Sequence, residues 1–337
     1  MDWFERLTGF REESYDATRA KLRVDGGRLY SLASGRSYGV GAFELPSLQT
    51  LRERAKSSGV ASGRLKAKVV RGDVRQMHHA PEYQGALFQV ASQFNVLEMV
   101  GPDVTPEDGV TRYHHDHTQG PACATAAGAA TIWRNYFLPV AGGVGQTASR
   151  QLDGVAAIGQ ALSAGVGKPV GDLWQMRNGY AMCDRAGLEA ISEHLAKLGP
   201  EEIDALRGKL AIGVQSDVEV TDAPGERRPL VSQAFCSALP VAYTRVPSRH
   251  WRPFAVLVLE AAYEATMWAA VLNARRGASN VVLLTLVGGG TFGNEEEWII
   301  GAMRRALTAV SSFDLDVRIV SYGTPTPVVL KLAEECQ

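Results

Sequence analysis

Gly288-Gly289-Gly290-Thr291-Phe292-Gly293 directly follows Asn280 to Val287, an almost continuous apolar run. A glycine-rich turn at the carboxyl end of a strand covered on both faces leaves backbone N–H groups bare of side chains, and a helix after it adds the positive end of its dipole. Such a loop can wrap a diphosphate or serve as a plain tight turn. It is not a Gly-x-x-x-x-Gly-Lys loop, because no lysine follows Gly293. Asn294 is placed to cap the next helix, and Glu295, Glu296 and Glu297 would repel a phosphate on that helix's axis. Contact is therefore expected from the loop amides.

Other residue types invite chemistry less directly. Tyr113-His114-His115-Asp116-His117 combines imidazole and carboxylate, which suit transition metals, yet adjacent ligands on a strand point to opposite faces and no distant His pair has motif spacing. His78 and His79 fall in an expected solvent-exposed connection. A Ser or Cys nucleophile is less favoured still, and Cys123 and Cys236 read as small core residues. Trp133-Arg134-Asn135-Tyr136-Phe137 either borders a pocket or ends a buried helix. Gln215-Ser216-Asp217 closes an apolar strand, where open α/β sheets put ligands.

The elements that position these residues alternate strand and helix. Strands are expected at Leu65 to Val70, Ala86 to Ala91, Ala211 to Val214, Ser232 to Tyr243, Asn280 to Val287 and Asp316 to Ser321. Helices are expected at about Ser47 to Ser58, Gly120 to Tyr136 (ended by Pro139), Leu188 to Leu198, Glu201 to Leu206 and Trp251 to Arg276. Strand, glycine loop, helix and strand at the carboxyl end make a parallel crossover unit. The division is an extension over 1–64, packed on the core, and an α/β domain over 65–337 carrying a mainly helical insertion at about 141–210.

The 337 residues are 45% hydrophobic, enough for a large core without staples, and the four cysteines are widely spaced, as free thiols in a reducing compartment would be. Lys and Arg number 35 against 36 Asp and Glu, so nucleic acid is not indicated as a partner by net charge. The start lacks a basic and apolar leader, and no later stretch reads as a membrane span. A cytoplasmic protein with no membrane partner and no cofactor is expected.

Val69-Val70-Arg71-Gly72-Asp73-Val74, a second strand running to Asn95, and the late glycine loop with Phe292 together resemble the macrodomain superfamily. Members begin with a strand leading to a Gly-Asp-Ile-Thr turn, continue with a strand ending in Val-Asn-Ala-Ala-Asn, and carry a glycine-rich loop with an aromatic residue in their last crossover. The resemblance covers roughly 65 to 140 and 210 to 325. It implies a three-layer α/β/α mixed sheet with added helices and a pocket for ADP-ribose or an ADP-ribosylated substrate. It implies that Asp73, with Val74, receives the adenine amino group and that Asn95 holds the distal ribose hydroxyls. Gly288, Gly289, Gly290, Thr291 and Gly293 would clasp the diphosphate, and Phe292 would cover the distal ribose.

The chain departs from the family where many members have Gly-Gly-Gly-Val, having Thr118-Gln119-Gly120-Pro121-Ala122 instead. Gln119 and Gly120 remain candidates for the pyrophosphate, but no catalytic residue transfers by match. Hydrolysis of an ADP-ribosyl bond passes through an oxocarbenium-like state and needs a group to place water, for which Glu98 and Asp116 are the nearest carboxylates in sequence. The expectation is an ADP-ribosylhydrolase. The alternatives are a non-catalytic ADP-ribose reader or sensor of an NAD-derived nucleotide, and a metal-dependent hydrolase built on His114 to His117.

Overall fold

The structure, a computed structural model, describes residues 1–57, 63–225 and 227–336. From the amino terminus, helices α1 (Trp3–Thr8) and α2 (Tyr15–Ala20) pack with an antiparallel meander of β1 (Leu22–Asp25), β2 (Arg28–Ser31) and β3 (Ser37–Gly39). The chain then supplies β4 (Ala42–Glu44) and α3 (Leu48–Ser57), followed by β5 (Lys66–Arg71), α4 (Val74–His79) and β6 (Leu87–Ala91). Ser58, the last residue of the helix expected from Ser47, lies outside the described residues. Helices α5 (Gln119–Ala126) and α6 (Gly128–Tyr136) come next, then the hairpin β7 (Pro139–Val140) and β8 (Gly143–Val144). The expected insertion continues with α7 (Ala156–Val166), the hairpin β9 (Gln175–Arg177) and β10 (Tyr180–Met182), α8 (Arg185–Leu195) and α9 (Pro200–Gly208). The last third holds β11 (Gly213–Glu219), β12 (Leu230–Cys236), α10 (Ser248–Arg275), β13 (Val281–Leu284), α11 (Glu296–Ala309), β14 (Asp316–Ser321) and α12 (Pro327–Glu334).

Seven strands form one mixed sheet in the order β4-β11-β12-β6-β13-β14-β5, antiparallel at the first two pairings and parallel across the other four. Period-two alternation sorts their side chains onto two faces. Leu87, Ala234, Cys236, Val282, Leu284, Val317 and Ile319 meet α3, α7, α8, α10, α11 and α12 in one core, whereas Phe88, Val90, Phe235, Leu283 and Val320 meet α4, α5 and α6 in another. This is the expected α/β/α layering. Trp3, Phe4, Leu7, Leu29 and Tyr38 pack the amino-terminal module against Ile132 and Tyr136 of α6, while β4 extends the main sheet through β11.

Several expectations change; the strand expected at Ala211 to Val214 is β11, Gly213–Glu219, so Gln215, Ser216 and Asp217 lie within it rather than at its end. The helix expected over Gly120 to Tyr136 is two helices, because Ala127 leaves helical geometry at φ −107°, ψ 52°. The Gly128 amide donates to Thr221 Oγ1, and the Ala124 carbonyl accepts from Thr131 Oγ1 instead. β12 stops at Cys236 rather than Tyr243, short of Pro240, which lacks a ladder donor. β13 stops at Leu284 because side chains take over the ladder: Thr285 N donates to Gln89 Oε1, Tyr263 OH donates to the Thr285 carbonyl, and Val287 N donates to the same phenol oxygen. Asn294 does not cap α11, whose N-cap is Glu295; its amide nitrogen donates to the carbonyls of Leu239 and Gly288 and so closes the glycine loop.

Helix α10, 28 residues long, is apolar and long enough to cross a membrane, against the expectation that no stretch would be, but most of it is buried under the sheet. Its Glu264 is 3% exposed and accepts from Arg52 Nε at 2.6 Å, Arg305 Nη1 at 2.8 Å and Trp268 Nε1 at 3.1 Å, tying α3, α10 and α11 together. Removing one partner from a buried ion pair leaves an uncompensated charge. Glu264→Ala should therefore lower stability by about 3 kcal/mol in urea denaturation, and Glu264→Gln, which keeps acceptor and shape, by clearly less.

Candidate functional site

The carboxyl ends of the parallel strands β5, β6, β13 and β14 open onto one cleft, the place where ligands lie in open α/β sheets. It consists of two cavities. The first, about 360 Å³, runs from Ala91, Ser92 and Gln93 beyond β6 to the glycine loop. The second, about 370 Å³, lies over Gly72, Asp73 and Val74 and reaches Val320 and Tyr322 beyond β14. Asp116, Thr118, Gln119 and Thr285 line both, so the two halves meet over the start of α5. The geometry is an elongated, two-chambered cleft with each chamber of small-molecule size.

At the second cavity, which it lines, Asp73 caps α4 by accepting the Arg75 amide at 2.8 Å through one oxygen. Exposed Tyr322 stands on the opposite wall. At the junction, the Gln119 side chain is already committed: Oε1 accepts Ala91 N at 2.8 Å and Nε2 donates to the Gln89 carbonyl at 2.7 Å, extending β6 by side-chain bonds. Gly120 rests so closely on the strand that a Cβ there would sit 1.9 Å from the Ala91 carbonyl oxygen. The first-turn amides of Gln119 and Gly120 thereby reach the cleft, and α5 carries no acidic residue in its first turn.

In the first cavity, the amides of Gly288, Gly290, Thr291 and Phe292 donate to no acceptor in the chain among the described residues, whereas those of Gly289 and Gly293 are spent on the carbonyls of Leu286 and Gly290. Gly288, at φ +77°, has no room for a Cβ beside Ala238, which fixes the loop against the segment after β12. Gly289 and Gly293 do not line the cavity. Gly289 abuts Ile299 and Gly293 abuts Ala242, so these two shape the loop rather than face a ligand. Phe292, Tyr180 and Tyr243 form an aromatic wall, with ring centroids 5.3 to 5.5 Å apart.

Asn95 does not line the cleft, against expectation. Wholly buried, it donates to Gln151 Oε1 at 2.9 Å, accepts the Leu97 amide at 3.1 Å, and lies under Gly179, whose φ of +82° brings its backbone against the Asn95 side chain. It knots the loop after β6 to the insertion. Asp116 does line both cavities, half-buried, with Oδ1 accepting Thr118 N and Oγ1 at 2.9 and 2.7 Å and no hydrogen-bond partner on its other oxygen among the described residues. Glu98 lies at the cleft floor beneath Gly120, its side chain fully buried and paired with Arg134 at 3.2 Å.

The remaining candidates are structural. Gln215 accepts from Arg134 and donates to the Val40 carbonyl, and Asp217 pairs with Arg276. His78, expected in solvent, is buried, its ring centroid 3.8 Å from that of Phe88, and burial lowers its pKa to about 4, so it is neutral. Burial pushes the Cys123 thiol far up, away from nucleophile chemistry. His114 and His115 are exposed, and among the described residues no group of three or more His, Cys, Asp or Glu side chains is placed to hold a metal ion. Tyr180, Tyr243, Arg75 and Tyr322 were not among the expected site residues. Tyr322 follows β14 at its carboxyl end, the positional signal that pointed to Gln215 instead, whereas Tyr180 comes from the insertion with no local signature.

Burial raises the Glu98 pKa to about 7, against the lowering effect of Arg134. A carboxyl whose folded pKa lies above its unfolded value favours the fold fully below the unfolded value and loses that contribution as pH rises through the folded one. Between roughly pH 4.5 and 7 the wild type should therefore lose about 3 kcal/mol through this group, at about 1.4 kcal/mol per unit. Urea denaturation of Glu98→Gln should show this loss removed, the variant gaining on wild type as pH rises across that window; parallel pH profiles would contradict the assignment.

The sequence matches no family model, and no curated protein matches it. Among solved structures, the chain is similar to poly(ADP-ribose) glycohydrolase from Deinococcus radiodurans in complex with ADP-ribose, at 11% identity and a TM-score of 0.46 over 97% of each chain. It is also similar to poly(ADP-ribose) glycohydrolase from Thermomonospora curvata, at 14% identity and a TM-score of 0.42 over 91% of this chain and 92% of the other.

Proposed function

We propose that the cleft binds ADP-ribose and that the protein hydrolyses an ADP-ribosyl linkage, releasing ADP-ribose from a modified acceptor. The observation that carries this is the continuity of the two cavities from Asp73 to the glycine loop, with bare amides facing the cleft from two walls. A ligand with a base at one end, a sugar at the other and a diphosphate between matches that order of groups. Asp73 accepts from the base amino group, the amides of Gly288, Gly290 and Thr291 with those of Gln119 and Gly120 hold the diphosphate, and the aromatic wall of Phe292, Tyr180 and Tyr243 covers the distal ribose.

Of the two carboxylates, Asp116 is the one placed to act on water, because it lines the cleft with one oxygen unengaged among the described residues, whereas Glu98 is held by Arg134. Water positioned by Asp116 attacks the anomeric carbon, the glycosidic C–O bond breaks, and the acceptor leaves with the proton. The same engagement of Glu98 favours a second reading, a reader that binds and does not cleave, since a single free carboxylate must then do all the acid–base work.

Calorimetry with ADP-ribose is the test. Gly290 has open space at its Cβ position and no positive φ, so Gly290→Leu fills the cavity mouth without disturbing the loop. It should abolish measurable binding, and Asp73→Ser, which keeps the helix cap, should weaken binding about tenfold. No binding by folded wild type would overturn the proposal. With ADP-ribosylated substrates, Asp116→Asn should lower kcat about 100-fold or more with binding retained; binding without turnover by wild type on every linkage would select the reader.

A further inference from the structure

Four titratable side chains line the first cavity among the described residues: Glu98, Asp116, Tyr180 and Tyr243. Cleaving a glycosidic bond needs a base for the attacking water and an acid for the departing atom, and one carboxylate cannot be both in a single displacement. With Asp116 as the base, the acid must come from the other three. Glu98 is spent, because its side chain is fully buried and both its oxygens accept from Arg134 Nη2, at 3.2 and 3.3 Å. The Tyr180 hydroxyl is committed as well, donating to the Met99 carbonyl at 2.6 Å. Tyr243 remains, half-buried in the aromatic wall, its ring centroid 5.4 Å from that of Tyr180.

The backbone fixes where Tyr243 stands. It ends a short 3-10 helix, Val241–Tyr243, between β12 and α10, and the glycine loop grips that segment from one side. Ala242 N donates to the Phe292 carbonyl at 2.9 Å, Asn294 Nδ2 donates to the Leu239 carbonyl at 2.9 Å, and a Cβ on Gly293 would sit 2.8 Å from that of Ala242. The loop whose amides are offered to the diphosphate thereby also sets the phenol. Burial raises the pKa of both Tyr243 and Tyr180, and the Asp116 charge adds to the rise in each, so the carboxylate acts on the two phenols through the chamber they share. At neutral pH Tyr243 therefore keeps its proton.

We propose that Tyr243 is a second catalytic residue, its hydroxyl giving a proton to the atom that leaves the anomeric carbon while Asp116 takes one from the attacking water. The proposal rests on the hydrolytic reading of the cleft given above. The water oxygen bonds to the anomeric carbon, the glycosidic bond breaks with its electron pair on the acceptor atom, and that atom takes the phenol's proton. The phenolate and the protonated carboxyl return to their starting states by exchange with solvent, leaving ADP-ribose and the free acceptor. A phenol is a weak acid, so it assists only a leaving group more basic than itself. An alkoxide gains from it, whereas a nitrophenolate, which departs unprotonated, gains nothing.

Steady-state kinetics on two substrates that differ in the leaving oxygen are the test: ADP-ribose joined at its distal anomeric carbon to a serine hydroxyl of a peptide, and ADP-ribose joined there to p-nitrophenol. Wild type should hydrolyse both. Tyr243→Phe keeps the ring and loses the proton, so it should lower kcat about 100-fold on the serine linkage and less than about threefold on the nitrophenyl one. Tyr180→Phe, which removes the neighbouring hydroxyl, should lower both by the same factor. An equal effect of Tyr243→Phe on the two substrates, no effect on either, or the leaving-group dependence appearing in Tyr180→Phe instead overturns the role of Tyr243 while hydrolysis stands. Wild type that cleaves only the nitrophenyl glycoside has no working acid and overturns it too. Folded wild type that binds ADP-ribose and cleaves neither substrate overturns the hydrolase reading, and Tyr243 as its acid falls with it.

Discussion

The Arg134 guanidinium is wholly enclosed, and the site depends on how its donors are spent. Nε donates to the Val96 carbonyl, Nη1 to Gln215, and Nη2 to Glu98 and Thr131, while the group lies 3.9 Å from the centre of the Phe235 ring. An arginine cannot shed its proton, so its burial demands that each partner stay in place. Those partners come from α6, β11 and the loop after β6, and the carbonyl it holds belongs to Val96, at φ +60°. A β-branched residue in the left-handed region costs on the order of 1–3 kcal/mol and persists only where its surroundings over-determine it. The turn at Val96 carries the chain from β6 to Glu98 and hence to the floor of the cleft beneath Gly120.

The segment between Ala141 and Leu210 completes the site rather than decorating it. Tyr180 OH donates to the Met99 carbonyl at 2.6 Å, Asn178 donates to the Pro102 carbonyl at 2.7 Å, and Arg177 pairs with Asp103. The β9–β10 hairpin thus grips the loop that follows Glu98, and its turn at Gly179 presses on Asn95. A second brace comes from the amino-terminal module, where Glu12 accepts the amides of Val110 and Thr111 and the hydroxyl of Tyr136. The long connection between Glu98 and α5, which carries Asp116, is held from both sides by parts of the chain remote in sequence.

That remoteness marks what the sequence could and could not disclose. Local patterns were enough for the strands of the parallel half: Asp316 to Ser321 agrees with β14 to the residue, and β5 and β6 each lie within one residue of expectation. The glycine loop and Asp73 stand at strand ends, where composition and position coincide, and both reach the cleft. Asn95 was misjudged because its partners, Gln151 and Gly179, lie more than fifty residues away and leave no local signal. Gln119 was expected as a ligand contact, but its side chain completes β6, a choice set by the approach of Gly120 to Ala91. The break at Ala127 has the same origin, with Thr221 claiming a donor that helical periodicity assigned to the helix itself.

The two helices that start at the cleft differ in a way that bears on where an anion would rest. α11 opens with Glu296 and Glu297 behind an N-cap of Glu295, so its dipole is opposed by its own side chains. α5 opens with Gln119, Gly120 and Pro121, has no acidic residue in its first turn, and lacks a side-chain cap that would consume its amides. An anion between the two walls would therefore take the loop amides of Gly288, Gly290 and Thr291 from one side and the dipole end of α5 from the other, staying off the α11 axis. Asp116 stands close to that path, but Thr118 donates twice to one of its oxygens, which draws part of its charge toward the helix cap. Its remaining oxygen accepts nothing among the described residues, and Asp116 itself borders the chamber that Tyr180 and Tyr243 line, where the bond to be broken would lie beyond the diphosphate.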